Sequence, residues 1–227
     1  MSLEKVAERI RWQLDGRSRV RDESLAISRE AIRTCANSIR AAHRLETDRA
    51  REMLRGVGES LSELSDALVG YPEIYHAGYV HDCQKEYAEA CAFLAVISGE
   101  PFPEPEALRV EPAAYLNGLG ECIGEMRRRT LDLMRRGEIP AAESMLTAMD
   151  EIYHILVTID YPDALTGGLR RTTDGARGII EKTRGELTTA IRQDELRRVI
   201  ERALIEFGPV ASALLPVQAP PAGQETE

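Results

Sequence analysis

The amino-acid sequence predicts an all-α fold, and three observations carry that prediction. Ala, Leu, Glu and Arg, all good helix formers, dominate the 227 residues, while aromatic residues, favoured in strands, make up only 5%. Apolar residues recur at three- and four-residue steps in one segment after another, the signature of an amphipathic helix. Turns containing Gly or Pro separate those segments.

Taken in order, a short opening helix around Leu3, Val6 and Ile10 is expected to end in a turn at Gly16 to Arg19. Asp22 is placed to cap a long second helix that runs to about Arg44. Ala50, Met53, Leu54, Val57, Leu61, Leu64 and Leu68 form the next stripe, which Gly70 and Pro72 stop. Tyr79, Cys83, Tyr87, Ala90, Leu94 and Ile97 mark another helix, ended by Pro101, Pro103 and Pro105, a spacing that excludes regular structure there. A further helix spans about Pro112 to Arg136 and closes at Gly137, and the next starts at Pro140 and breaks at Ile159-Asp160-Tyr161-Pro162. The last two are expected from about Ala164 to Ile191 and around Leu196 to Phe207. Seven helices with short connections make one bundle over residues 1–215, and the Pro- and Gly-containing stretch 216–227 is expected to be disordered.

The chain carries 30% charged and 43% hydrophobic residues, the balance of a soluble globular protein. Its net charge of -9 argues against indiscriminate phosphate binding, so any nucleic-acid surface has to be local. Lys occurs only at Lys5, Lys85 and Lys182, leaving Arg, the better bidentate partner for phosphate, as the main cation. Cys35, Cys83, Cys91 and Cys122 form no C-x-x-C pair and read as small core residues rather than a zinc site or disulfide framework. With no basic-plus-apolar leader and no apolar run near the ~18 residues that span a bilayer, a reducing cytoplasm without membrane association is the expected setting.

Two acidic pairs interrupt otherwise apolar helix faces: Glu86 with Glu89, and Glu121 with Glu125. Residues three or four apart point the same way on a helix, so each pair shares a face. If the pairs converge, four carboxylates suit a hard cation such as Mg²⁺ or Mn²⁺, which takes oxygen ligands and keeps waters for a substrate phosphate. Such an ion can lower the pKa of a bound water, which is the chemistry of phosphodiester hydrolysis. Glu-rich helices also put carboxylates at these intervals on solvated faces, so spacing alone leaves both readings open. A ferritin-like di-iron site would need a Glu-x-x-His pair, which neither helix carries.

Arg29, Arg33 and Arg40, followed by His43 and Arg44, form one basic stripe, and Arg170, Arg171 and Arg177 form a second cluster. Either could hold a phosphate backbone without reading sequence, or could simply serve surface ion pairs. His76 and His81 lie one to three turns ahead of Glu86 and could reach a substrate there.

Four segments, in order from Leu14 to Leu187, resemble the translin and translin-associated factor X (Trax) family. LDGRSRVRDESLAISREAIRTCANSIRAAHR looks like the Trax opening helices with their closing His-Arg; QKEYAEACAF resembles the family's Gln-Glu-Tyr-x-Glu-Ala motif. AAYLNGLGECIGEMRRR is similar to Tyr-Leu-x-Gly followed by Gly-Glu-Leu-x-Arg, and LRRTTDGARGIIEKTRGEL looks like the shared C-terminal helix. The resemblance implies a translin-type bundle that assembles into a hollow homo-oligomer, often an octamer. It also implies a Trax-like metal-dependent ribonuclease site at Glu86, Glu89, Glu121 and Glu125, with Glu121 standing where the Trax pattern has Asp. The expected function is therefore a Mg²⁺-dependent endoribonuclease, with Mn²⁺ as an alternative metal, RNA held by Arg29, Arg33, Arg40, Arg170, Arg171 and Arg177, and single-stranded DNA as a further ligand. A noncatalytic RNA or single-stranded DNA binder of translin type is the alternative. A MazG-like nucleotide pyrophosphohydrolase ranks below both, because its Glu-x-x-Glu is paired with a Glu-x-x-Asp motif, which the second acidic pair, Glu121 with Glu125, does not match.

Overall fold

The structure is a computed structural model that describes residues 2–214, with side chains described through residue 206. Six long helices are joined by loops that hold three single turns of helix. The helices are α1 (Leu3–His43), α2 (Thr47–Ala67), α3 (Pro72–Tyr75), α4 (Gly78–Ser98), α5 (Pro105–Leu108), α6 (Pro112–Arg135), α7 (Ile139–Leu156), α8 (Asp163–Thr166) and α9 (Leu169–Leu214). No strand occurs among the described residues, as the composition predicts.

Local chemistry sets most boundaries. Pro72, Pro105, Pro112 and Pro140 fall in the first turn of their helices, where the missing N–H has no intrahelical partner to lose. Gly99 ends α4 with φ 67°, and Gly137 follows α6 with φ 75°, left-handed conformations that a side chain would strain.

Two central helices organise the core. α4 packs against α1, α2 and α6, while α6 packs against α4, α7 and α9. Phe93, Ile123, Met126 and Met149 are fully buried at the resulting interfaces. Burying each large apolar side chain contributes roughly 1.5–3 kcal/mol. Cys35, Cys83 and Cys122 are buried within the same core, Cys91 is partly so, and all four are free thiols. Burial pushes Cys83 and Cys91 up to about 12, which keeps them protonated and inert.

The all-α class stands, with three corrections to the expected elements. The turn at Gly16 to Arg19 does not form: α1 continues through it, and Asp22 lies inside the helix beside Arg21. A single interior Gly costs only about 1 kcal/mol against Ala, and its neighbours are good helix formers. The last two expected helices are one, α9, because Arg192 to Glu195 contains no breaker and Asp194 pairs with Arg197 at 2.6 Å and Arg198 at 2.8 Å. The break comes earlier, at Gly167 and Gly168, whose φ values of 59° and 85° end α8 and set the start of α9 at Leu169. Finally, Pro105 opens the single turn α5 instead of prolonging the loop. The segment 216–227, expected to be disordered, lies outside the described residues, as does the Phe207 side chain. Among the described residues no helix is long and apolar enough to cross a membrane.

Candidate metal centre and nucleic-acid interface

The crossing of α4 and α6 is closer than ordinary side chains permit. A Cβ on Gly118 would stand 2.6 Å from the Lys85 carbonyl oxygen and 2.9 Å from the Glu89 nitrogen, so only glycine lets the two backbones meet there. Glu86 and Glu89 lie within the α4 stretch, Lys85 to Glu89, that meets Gly118, and Glu121 is one turn beyond Gly118. Two neighbours of Gly118 fix the other contacts of α6. Asn117 donates to the Thr166 carbonyl at 2.8 Å and accepts from the Thr172 hydroxyl at 2.6 Å. Gly120 makes room for Thr172 of α9, whose Cγ2 would be 2.4 Å from an added Cβ. The Tyr-Leu-Asn-Gly stretch thus ties α6 to α4, α8 and α9 together.

The close crossing brings three of the predicted acids together. Glu86, Glu89 and Glu121 each offer a carboxylate oxygen within 4.8 Å of the others. Glu89 is nearly buried, and burial, reinforced by Glu86, Glu121 and Glu125, pushes its carboxyl up to about 8. Burial also raises Glu86, opposed by the neighbouring Lys85 charge. Lys85 sits on the cluster: its Nζ donates to Glu121 Oε1 at 2.7 Å and lies 3.6 Å from Glu86 Oε1. Burial works against the Lys85 charge, yet the hydrogen bond to Glu121 and the surrounding acids hold its pKa above the usual lysine value.

Glu125, the fourth predicted acid, stands slightly apart. Its Oε2 accepts from His43 Nε2 at 2.5 Å and lies 3.8 Å from Arg128. The His43 hydrogen bond holds its pKa below the ordinary carboxylate value despite burial. His43 comes from the end of α1, is 7% exposed and rests on Phe93 with ring centroids 4.6 Å apart. Its Nδ1 is buried without a hydrogen-bond partner.

Periodicity did not single out Lys85, which matters through a contact with another helix, and it placed His43 only in a basic stripe, without its contact to Glu125. The closing His-Arg of the first motif was the available signal for His43. For Lys85 the signal was a lysine directly before Glu86, where the family motif has Gln.

The predicted arginines lie on α1 and α9, the helices packed against α4 and α6 respectively. At 3.6 residues per turn, Arg29, Arg33 and Arg40 fall within about 80° of His43 on α1. Arg33 pairs with Glu30, and Arg40 donates to Asn37. On α9, Arg170 lies 3.4 Å from Asp160, with both side chains largely exposed. Arg29, Arg171 and Arg177 make no side-chain hydrogen bond or ion pair among the described residues and are exposed. His81 does not point to the acids; it packs over Gly167 near Asn117, and His76 stacks edge-on against Tyr75.

Fold and site together define a helical bundle with a carboxylate cluster at the tight crossing of its two central helices. No protein-family profile matches the chain. An uncharacterized protein of Methanocaldococcus jannaschii is 32% identical over 194 residues, covering 85% of this chain and 86% of that protein. AfC3PO, solved alone and in complex with duplex RNA, superposes with a TM-score of 0.76 at 36% identity, covering 82% of this chain and 97% of that one. Apo-NeC3PO shares the fold, with a TM-score of 0.74 at 21% identity over 81% of this chain and 96% of that one. The chain belongs to the translin and Trax family.

Proposed function

We propose that this protein is a metal-dependent endoribonuclease that binds and cuts RNA within a homo-oligomeric shell. The observation that carries the reading is the convergence of Glu86, Glu89 and Glu121, with ligand oxygens within 4.8 Å, from two helices that only Gly118 allows to meet. Family membership and the duplex RNA bound to AfC3PO support RNA as the ligand class.

The donor set fits a hard divalent ion. It is all oxygen, as Mg²⁺ and Mn²⁺ prefer, and a cation, the Lys85 ammonium, already occupies part of it. When bound, the ion would acidify a water and stabilise charge on the phosphate under attack. Glu86, Glu89 and Glu121 would hold it. Glu125, kept ionised by His43, accepts the proton of the attacking water, while the buried His43 ring fixes that carboxylate in place. Arg29, Arg33 and Arg40 on α1, with Arg170, Arg171 and Arg177 on α9, bind the phosphate backbone from either side, and would bind single-stranded DNA by the same contacts. The reading puts the protein in the cytoplasm, where its four free thiols stay reduced.

The test is incubation of labelled single-stranded RNA with wild-type protein and Glu89→Gln, in Mg²⁺, Mn²⁺ or chelator. Internal cuts by wild type with metal only, and by the variant never, with RNA binding retained in both, are expected. RNA that is bound but not cut with either metal replaces this reading with noncatalytic binding, which the seat of Lys85 on Glu121 would then explain.

A further inference from the structure

Among the described residues, Lys85 is the one cation that reaches into the cluster of Glu86, Glu89 and Glu121. Its side chain is only 17% exposed, so solvent and salt weaken its attraction to Glu121 and Glu86 far less than they would at a surface pair. A divalent ion at about 2.1 Å from the same carboxylates would lie within a few ångströms of the ammonium, where two cations repel strongly. Glu121 Oε1, which accepts from Lys85, is not free for an ion while that hydrogen bond stands. The four-carbon stem of Lys85 is flexible, whereas Glu89 is fixed in the core, so the lysine is the partner that can leave.

We propose that Lys85 is the internal counter-cation of the metal centre: its ammonium holds Glu121 and Glu86 together while the centre is empty of metal, and a divalent ion displaces it. This rests on the metal-binding reading above and adds that binding is an exchange of one cation for another.

The chain's lysine content makes the exchange measurable, since only Lys5 and Lys182 accompany Lys85, and both are exposed. Wild-type protein is treated with an amine-acylating reagent with and without saturating Mn²⁺, and each lysine is followed by mass spectrometry. Lys85 is expected to react slowly without metal and several-fold faster with it, while Lys5 and Lys182 keep their rates. In parallel, Mn²⁺ binding is measured from the loss of the free-ion electron paramagnetic resonance signal. Lys85→Met is expected to bind Mn²⁺ about tenfold more tightly than wild type, with Lys182→Met unchanged. Mn²⁺ that binds wild type while Lys85 stays protected, or a Lys85→Met affinity equal to or weaker than wild type, overturns the exchange and leaves the metal centre standing. No Mn²⁺ binding by wild type overturns both. Should Lys85→Met not fold, the acylation of wild type decides alone.

Discussion

Glu89 and Glu125 respond to pH in opposite directions, although both are carboxylates of the proposed site. Glu89 has a folded pKa of about 8, well above the unfolded value near 4.3, because burial and three neighbouring acids oppose its charge. The unfolded chain therefore releases this proton more readily, and the metal-free protein loses stability as pH rises from about 4.5 to about 8. Glu89→Gln is expected to raise the melting temperature strongly at pH 8 in chelator and far less at pH 5; equal effects at both pH values would contradict the shift. A metal that binds here must expel the Glu89 proton. Mn²⁺ affinity should then tighten by about tenfold per pH unit below pH 8 and level off above it, as titrations from pH 6 to 9 would show. Glu125 is shifted the other way by His43, so its contribution is present at neutral pH and lost as acid titrates it through its lowered pKa.

Among the elements, the α4–α6 crossing decides whether a site exists. Gly118→Ala would force Cβ against the Lys85 carbonyl and Ala88, and overpacking of this kind costs about 1–3 kcal/mol. The same methyl should spread Glu86 and Glu89 from Glu121 and weaken Mn²⁺ binding. Gly124→Ala, on the same helix with open space around its Cβ position, should be neutral or stabilising by about 0.5–1 kcal/mol. Urea unfolding with parallel Mn²⁺ titration separates the two. Periodicity placed α2, α4, α6 and α7 to within a few residues, because their apolar stripes end at Pro or Gly with a stereochemical reason to stop. It divided α1 and α9, because an isolated Gly or a change of stripe looks like a break, although one Gly among good helix formers costs little and the α9 segment holds no breaker. The acids were legible as pairs on a face; that the two faces meet is a property of Gly118, Asn117 and Gly120, whose close contacts are to other helices. The resemblance to Trax supplied what spacing left open, and Lys85 and the pairing of His43 with Glu125 emerged only from contacts between helices.

For the whole molecule, the outer ends of the two longest helices are the unsettled part. α9 is 46 residues long, about 70 Å at 1.5 Å per residue, but its last buried side chain among the described residues is Leu187. Beyond that point Leu196, Val199, Ile200 and Leu204 are exposed, as are Leu3, Ile10, Trp12 and Leu14 at the start of α1. In the homo-oligomeric reading these apolar residues are covered by other copies of the chain. Leu196→Glu with Ile200→Glu, which share a face of α9, should lower the assembled mass in sedimentation velocity without changing helical content. A wild-type protein that sediments as a monomer at micromolar concentration would rule the assembly out. The projecting helix ends also make dilution a denaturant. If each copy shelters the next, the melting temperature rises with protein concentration, and a single value measured at one concentration describes the population rather than the chain.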